Sequence, residues 1–210
     1  MSIAEKLTTI AENVQKVYEA GKAAGGGDES YYDFFWDNFQ DHGNRRSYRN
    51  AFQDYGNSWK NGTTYNPKYP ITVSSNAYGP NNVFANATGI TDTLVDFICE
   101  GSLDLTQTFS GARNLNTIKK LVVNEGVKYT NTFANCTALE NINFEGVIAN
   151  SLSFSNSSLL TPTSINNIIG CLKDLTGGTA QTLTLHATVG AKLTDEQKAA
   201  ITAKNWELAY

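Results

Sequence analysis

Glu100-Gly101, Glu125-Gly126 and Glu145-Gly146 are the same dipeptide met three times. Each closes a short apolar run: Phe97-Ile98-Cys99, then Leu121-Val122-Val123 with Asn124 interposed, then Ile142-Asn143-Phe144. If those runs are strands stacked on one another, the carboxylates form a column. Two carboxylates flanking a glycosidic bond are the machinery of glycan hydrolysis, one serving as acid and the other as base or nucleophile. A glutamate that recurs because a turn recurs needs no catalytic reason, however, and nothing else converges on these three. A glycan hydrolase is therefore the remote alternative, and the chain reads as a non-enzyme.

Other chemistry is sparse. His42 and His186 have no Cys or His partner at metal-ligand spacing. Cys99, Cys136 and Cys171 are odd in number, far apart and without a CxxC, which suits buried thiols better than a disulfide framework or a zinc site. Gly25-Gly26-Gly27 follows no strand, Gly177-Gly178-Thr179-Ala180-Gln181-Thr182 lacks the lysine of a phosphate loop, and no G-x-S-x-G occurs. No cofactor and no metal are expected. Of the sequons at Asn61, Asn86, Asn135 and Asn156, the last three stand two residues after a phenylalanine, which marks a recurring turn rather than glycosylation.

The elements that carry these residues form a repeat. Phe84, Phe109, Phe133 and Phe154 open successive units at steps of 25, 24 and 21 residues. Six positions after each comes an aliphatic residue: Ile90, Leu115, Leu139 and Leu160. The apolar runs follow in the first three units, and Ile71-Thr72-Val73 suits the strand of the unit before. A period of 20–29 residues with one strand per unit is the signature of a solenoid. One unit cannot bury its apolar side; stacked units can, and each buried side chain contributes about 1.5–3 kcal/mol. The Gly after each strand suits a turn needing positive φ. The middle residue of each strand points outward, which yields a row of Thr72, Ile98, Val122, Asn143 and Thr184. Ile98 and Val122 side by side in water make that row a candidate contact surface.

The flanks differ. Over residues 1–20, Ile3, Leu7, Ile10, Val14 and Val17 step by four and three, the a/d pattern of a coiled coil. Leu at a with Ile at d favours three or four strands, so a homotrimer is one reading and a helix packed on its own domain the other. Residues 21–27 form a Gly-rich joint. Residues 28–69 hold 12 of the 23 aromatics, at spacings that suit short helices over 29–40 and 44–55. They read as a helical cap, or alternatively as an aromatic platform for sugars with Trp36, Trp59 and Tyr65. Residues 70–160 are the repeats. In 161–210, Thr161-Pro162 opens a helix that Gly177-Gly178 stop, Thr182–Leu185 is a strand, Thr194–Gln197 is a capping box and Trp206–Leu208 a last strand.

Composition narrows the partners. The chain has 210 residues, 40% hydrophobic and 17% charged, with net charge −4. Nucleic-acid and anionic-membrane binders carry a basic excess that is lacking here. No apolar run reaches the ~18 residues of a bilayer span, and charged residues interrupt the N-terminus too often for a signal peptide. The expectation is a chain made in the cytoplasm, without membrane insertion.

FANCTALENINF and TFSGARNLNTIKKLVV resemble the BspA-type leucine-rich repeat, in register over residues 71–160. The pattern departs where Gly111-Ala112-Arg113 replaces Asn-Cys-Thr and where Glu-Gly replaces the usual Pro. SIAEKLTTIAENVQKVYEAG and the 168–208 stretch resemble the two ends of such proteins encoded in tail-gene regions of phages and prophages of gut Firmicutes. The resemblance implies an α+β repeat architecture: a short irregular leucine-rich-repeat solenoid with an N-terminal coiled-coil-like helix, an aromatic helical cap and an α/β C-terminal cap. It also implies a binding or structural protein, tail-associated or devoted to host-surface recognition, with a protein or cell-surface glycan ligand. Such a chain would be virion-associated, and extracellular after lysis. A bacterial cell-surface adhesin of the same repeat family is the alternative.

Overall fold

The computed structural model describes Lys16 and residues 71–74, 84–88, 93–100 and 104–210. The chain divides into two compact units, Met1–Phe39 and Gln40–Tyr210, and every element below belongs to the second. The heptad residues Ile3, Leu7, Ile10, Val14 and Val17, the joint at 21–27, and the aromatic stretch with Trp36, Trp59 and Tyr65 lie outside the described residues.

The apolar runs become parallel strands. β1 (Ile71–Ser74), β2 (Thr93–Glu100), β3 (Thr117–Val123) and β4 (Asn141–Gly146) form one sheet in chain order. Thr93 pairs with Thr117 and Thr117 with Asn141, each 24 residues on. In β3, Ile118, Leu121 and Val123 are buried and Lys119 is exposed. The two-residue alternation breaks at Lys119-Lys120, where the β3–β4 register also shifts. Two outward lysines in succession bulge the strand and return Leu121 to the core. β5 (Leu152–Phe154), β6 (Gln181–Leu185) and β7 (Trp206–Ala209) form a second parallel sheet, in that order.

Across each unit from its strand runs the phenylalanine turn. The Phe84 and Phe109 rings stack 5.6 Å apart at 4°, Phe109 and Phe133 5.7 Å apart at 9°, and Phe133 and Phe154 4.7 Å apart at 21°. All four are buried, as are Leu115, Leu139 and Leu160 six residues after the last three of them. The backbones stack too: Phe84 N donates to Thr108 O (2.8 Å), Phe109 N to Thr132 O (3.0 Å) and Gly111 N to Ala134 O (2.7 Å). Two residues after the ring the backbone is left-handed, with φ 56° at Asn86, 76° at Gly111 and 57° at Asn135. Asn and Gly are the residues that tolerate this conformation, so Asn86, Gly111 and Asn135 answer one backbone demand. Asn156, two residues after Phe154, has no positive φ, and its Oδ1 accepts from Asn135 N (3.1 Å). Buried polar groups are satisfied by the neighbouring turn: Thr132 Oγ1 donates to Leu105 O (2.9 Å) and Ser157 Oγ to Cys136 O (3.0 Å).

Of the glycines after strands, Gly146 needs its freedom, with φ 101° and the Val123 carbonyl where a Cβ would sit. Gly126 departs from expectation: it has no positive φ, and its N–H donates to Asn124 Oδ1 (3.0 Å).

After β4 a helix takes the place of a strand. Thr161 caps α1 (Pro162–Cys171), with Pro162 in its first turn. Ile142 N donates to Ser164 Oγ (3.0 Å) and Phe144 N to Asn167 Oδ1 (2.7 Å). Ser164 Oγ in turn donates to Glu140 O (3.0 Å), and Asn167 Nδ2 to Phe144 O (3.0 Å). Side chains of α1 thus supply the ladder along the β4 edge, which covers an edge that would otherwise pair with another chain. The helix ends at Cys171 rather than at Gly177-Gly178, because Leu172 enters a parallel bridge with Ile148. α2 (Ala187–Gly190), which the sequence reading lacks, is capped by His186, and α3 (Asp195–Ala203) carries the full Thr194/Gln197 capping box.

The ring ladder makes a direct prediction. Phe133→Ala removes a ring stacked on both sides and is expected to cost about 3–5 kcal/mol in urea unfolding. Leu159→Ala, at a half-exposed position, should stay within about 0.5 kcal/mol. Equal losses at the two sites would contradict a core built on that ladder.

Candidate binding surfaces

The glutamates do not form a column. Glu145 is the register partner of Val122 and Gly146 of Val123, whereas Glu125 lies two residues past the end of β3. Glu100 is the register partner of Ser74. Counted from the mutually paired Thr93, Thr117 and Asn141, the three glutamates come seven, eight and four residues on, and the Lys119-Lys120 bulge absorbs only one of the four residues by which the last two differ. Two of them meet different lysines: Glu145 pairs with Lys120 (3.0 Å) and Glu125 with Lys173. Both glutamates are exposed, with half or more of the side-chain surface in solvent.

The nucleophile candidates are structural. Cys136 is fully buried, and its Sγ donates to Phe109 O (3.0 Å). Burial pushes its thiol up to about 12, against a smaller lowering by the Ala112 backbone. Burial also raises the thiol of Cys171, offset in part by Lys204. His186 Nδ1 accepts from Thr188 N (3.2 Å) as the cap of α2. Among the described residues no three His, Cys, Asp or Glu side chains gather as a metal group.

The expected outward row is only partly assembled. Thr72, Ile98 and Val122 are successive register partners, and Val122 is half-buried. Asn143 does not continue them: it lies between Ile142 and Phe144, the partners of Ile118 and Leu121, so that Glu145 stands opposite Val122, and Asn143 Oδ1 accepts from Asn167 Nδ2 (2.9 Å) within the α1 edge cover. Thr184 belongs to the second sheet, between Ser153 and Ala209.

Thr184 instead lines a groove of about 410 Å³ that the row argument missed. Its walls include Thr130, Asn150, Ser151, Ser153, Gln181 and Thr182, with Lys128 as the one cation and no carboxylate among the described lining residues. Leu152, Leu183 and Leu185 are buried while Ser153, Thr182 and Thr184 stay partly exposed. Ser-Leu-Ser and Thr-Leu-Thr are therefore strands with hydroxyls on one face, a period-two signal legible in the sequence. Two amides are locked. Gln181 Oε1 accepts from Ser151 N (2.9 Å) and Ser151 Oγ (2.8 Å), and Thr182 N donates to Ser151 Oγ (3.0 Å). Asn150 Nδ2 donates to Glu125 O (3.0 Å) and Val127 O (2.9 Å). A second, smaller pocket of about 130 Å³ is mainly apolar, between Leu160, Ile165, Val189 and Leu193.

The chain is a mixed α/β protein with small parallel sheets, and its described surface offers a hydrogen-bonding groove without an acid–base pair. No family model, no curated protein and no solved structure matches it. Among the described residues, no helix is long and apolar enough to cross a membrane.

The buried thiol predicts a pH dependence. Below the ordinary thiol value of 9.0, native and unfolded Cys136 are both protonated. Above it the unfolded chain releases a proton that the native chain keeps until about 12, so Cys136 disfavours folding increasingly as pH rises. The stability of wild type relative to Cys136→Ala should fall by about 1.4 kcal/mol per pH unit above that point. Denaturant unfolding of both proteins across about pH 8 to 10.5 reads this directly. A constant difference would show that Cys136 titrates like an exposed thiol.

Proposed function

We propose that this chain is a non-enzymatic binding module of the BspA-like leucine-rich-repeat kind, tail-associated in a phage or devoted to host-surface recognition. Its architecture on this reading is a short irregular solenoid. The N-terminal helix serves as trimerising anchor, the aromatic stretch 28–69 as one cap and residues 161–210 as the other. The observation that carries the reading is the turn-by-turn stacking of Phe84, Phe109, Phe133 and Phe154, on a fold that also bears an outward polar groove. A stack of this kind holds surface side chains at fixed spacing and has no moving part. Recognition by a rigid scaffold needs that, and hydrolysis needs a convergent acid and base that Glu125 and Glu145, each turned to its own lysine, do not supply.

The full chain should sediment with envelope preparations of gut Firmicutes and release no reducing sugar from them, with Glu125→Gln behaving as wild type. Sugar release that disappears in Glu125→Gln would replace this reading with the hydrolase. Light scattering should give a trimer for the full chain and a monomer when Leu7 and Ile10 are both changed to Asp. A monomeric wild type would remove the anchor from the proposal.

A further inference from the structure

We infer that the groove between residues 128–131, 150–153 and 181–184 is a saccharide subsite, taking one hydroxylated sugar unit by hydrogen bonds. This inference rests on the binding-module reading and supplies its ligand class. The argument is an accounting of donors and acceptors. Both hydrogens of Asn150 Nδ2 are donated to main-chain carbonyls, so the amide cannot flip and its Oδ1 remains as an acceptor. Gln181 Oε1 accepts twice from Ser151, so that amide is fixed in the opposite sense. Its Nε2 makes no hydrogen bond among the described residues. One wall thus offers a fixed acceptor, another a fixed donor. Between them, Thr130 and Thr184 present hydroxyls that can do either, while Ser153 Oγ donates to Ser155 Oγ and accepts from Ser155 N (3.4 Å each).

Adjacent hydroxyls of a sugar need this mixture, since each donates one hydrogen bond and accepts others. An apolar ligand would strand the donors, at the cost of unpaired polar groups. The volume of about 410 Å³ lies within the range of about 300–1,000 Å³ usual for small-ligand sites. Tyr129 is only 4% exposed, so no ring face is presented for stacking and recognition falls to the hydrogen bonds. Such a subsite is weak singly and gains from repetition on an oligomer. It also lies on the second sheet, away from the register row of Thr72, Ile98 and Val122.

Two isosteric variants test it on the full chain. Gln181→Glu keeps the oxygen that Ser151 donates to and removes the Nε2 donor; Thr184→Val removes one hydroxyl at constant shape. Saturation-transfer NMR with glucose, galactose, N-acetylglucosamine, rhamnose and galacturonate should show transfer to at least one of them. Each variant, melting at the wild-type temperature, should weaken that binding roughly three- to tenfold, the loss of one hydrogen bond. No transfer to any of the five sugars overturns the inference, as does unchanged affinity in both variants. Envelope sedimentation of the same samples separates the levels. Sedimentation without transfer ends the saccharide subsite and leaves the binding module standing; loss of both ends the module as well.

Discussion

Everything described in this chain depends on one contact made repeatedly: a phenylalanine ring lying on the ring of the turn before. Each turn of the stack is too small to close a core by itself. Phe109 has Phe84 on one face and Phe133 on the other, so both faces are dry without any help from the rest of its own turn. Ring pairs of this sort contribute about 0.5–1.5 kcal/mol beyond the area they bury. The larger consequence is geometric. Parallel rings require parallel backbones, so the turns around them must repeat their dihedrals. Left-handed residues therefore recur two positions after the ring, at Asn86, Gly111 and Asn135, and two before it, at Gln107 and Asn131.

A stack held this way has open ends, and the described end is closed by substitution. α1 lies where the next strand would, and Ser164 and Asn167 bond to β4 as a strand backbone would. The helix can do this only near its own start, where Thr161 fixes its position and Pro162 its entry angle. Lys204 then donates to Ile169 O (2.9 Å) and Leu172 O (2.8 Å), giving the far end of α1 the cation that helix termini favour. Trp206 Nε1 donates to Lys173 O (2.9 Å), tying the last strand to the segment that leaves α1. The closing elements thus hold one another, and the second sheet is built on the same join.

What was legible in the sequence was whatever repeats. The strand positions, the buried ring and Leu series, the Thr161 cap and the Thr194 capping box follow from periodicity and local hydrogen-bonding chemistry, and these are short-range facts. Register was not legible. Lys119-Lys120 breaks the alternation of β3, and nothing local says whether the extra residue is absorbed in the strand or in the turn. That one residue decides whether Gly146 or Glu145 stands opposite Val122, while Asn143, next to the partner of Ile118, falls opposite the Lys119-Lys120 pair either way. The end of α1 at Cys171 was hidden for a like reason, because it is set by Ile148, 23 residues earlier. The groove was half visible. Ser-Leu-Ser and Thr-Leu-Thr declare two hydroxyl faces, but only the pairing of β5 with β6 makes them neighbours.

In a repeat, the residue that recurs is poor evidence of function and the residue that departs is better evidence. Glu100, Glu125 and Glu145 recur, and the register scatters them. Asn86 and Asn135 recur, and a left-handed backbone accounts for them. Gln181 and Asn150 have no counterpart in earlier turns, and a backbone ladder would have served as well as either amide. A backbone ladder leaves nothing over, whereas a side-chain amide spends one end on the fold and keeps the other. Ser151 holds the oxygen end of Gln181, and the carbonyls of Glu125 and Val127 hold the nitrogen end of Asn150. The remaining ends are of opposite polarity and held without conformational freedom, so a ligand with adjacent hydroxyls would bind there without paying to order them.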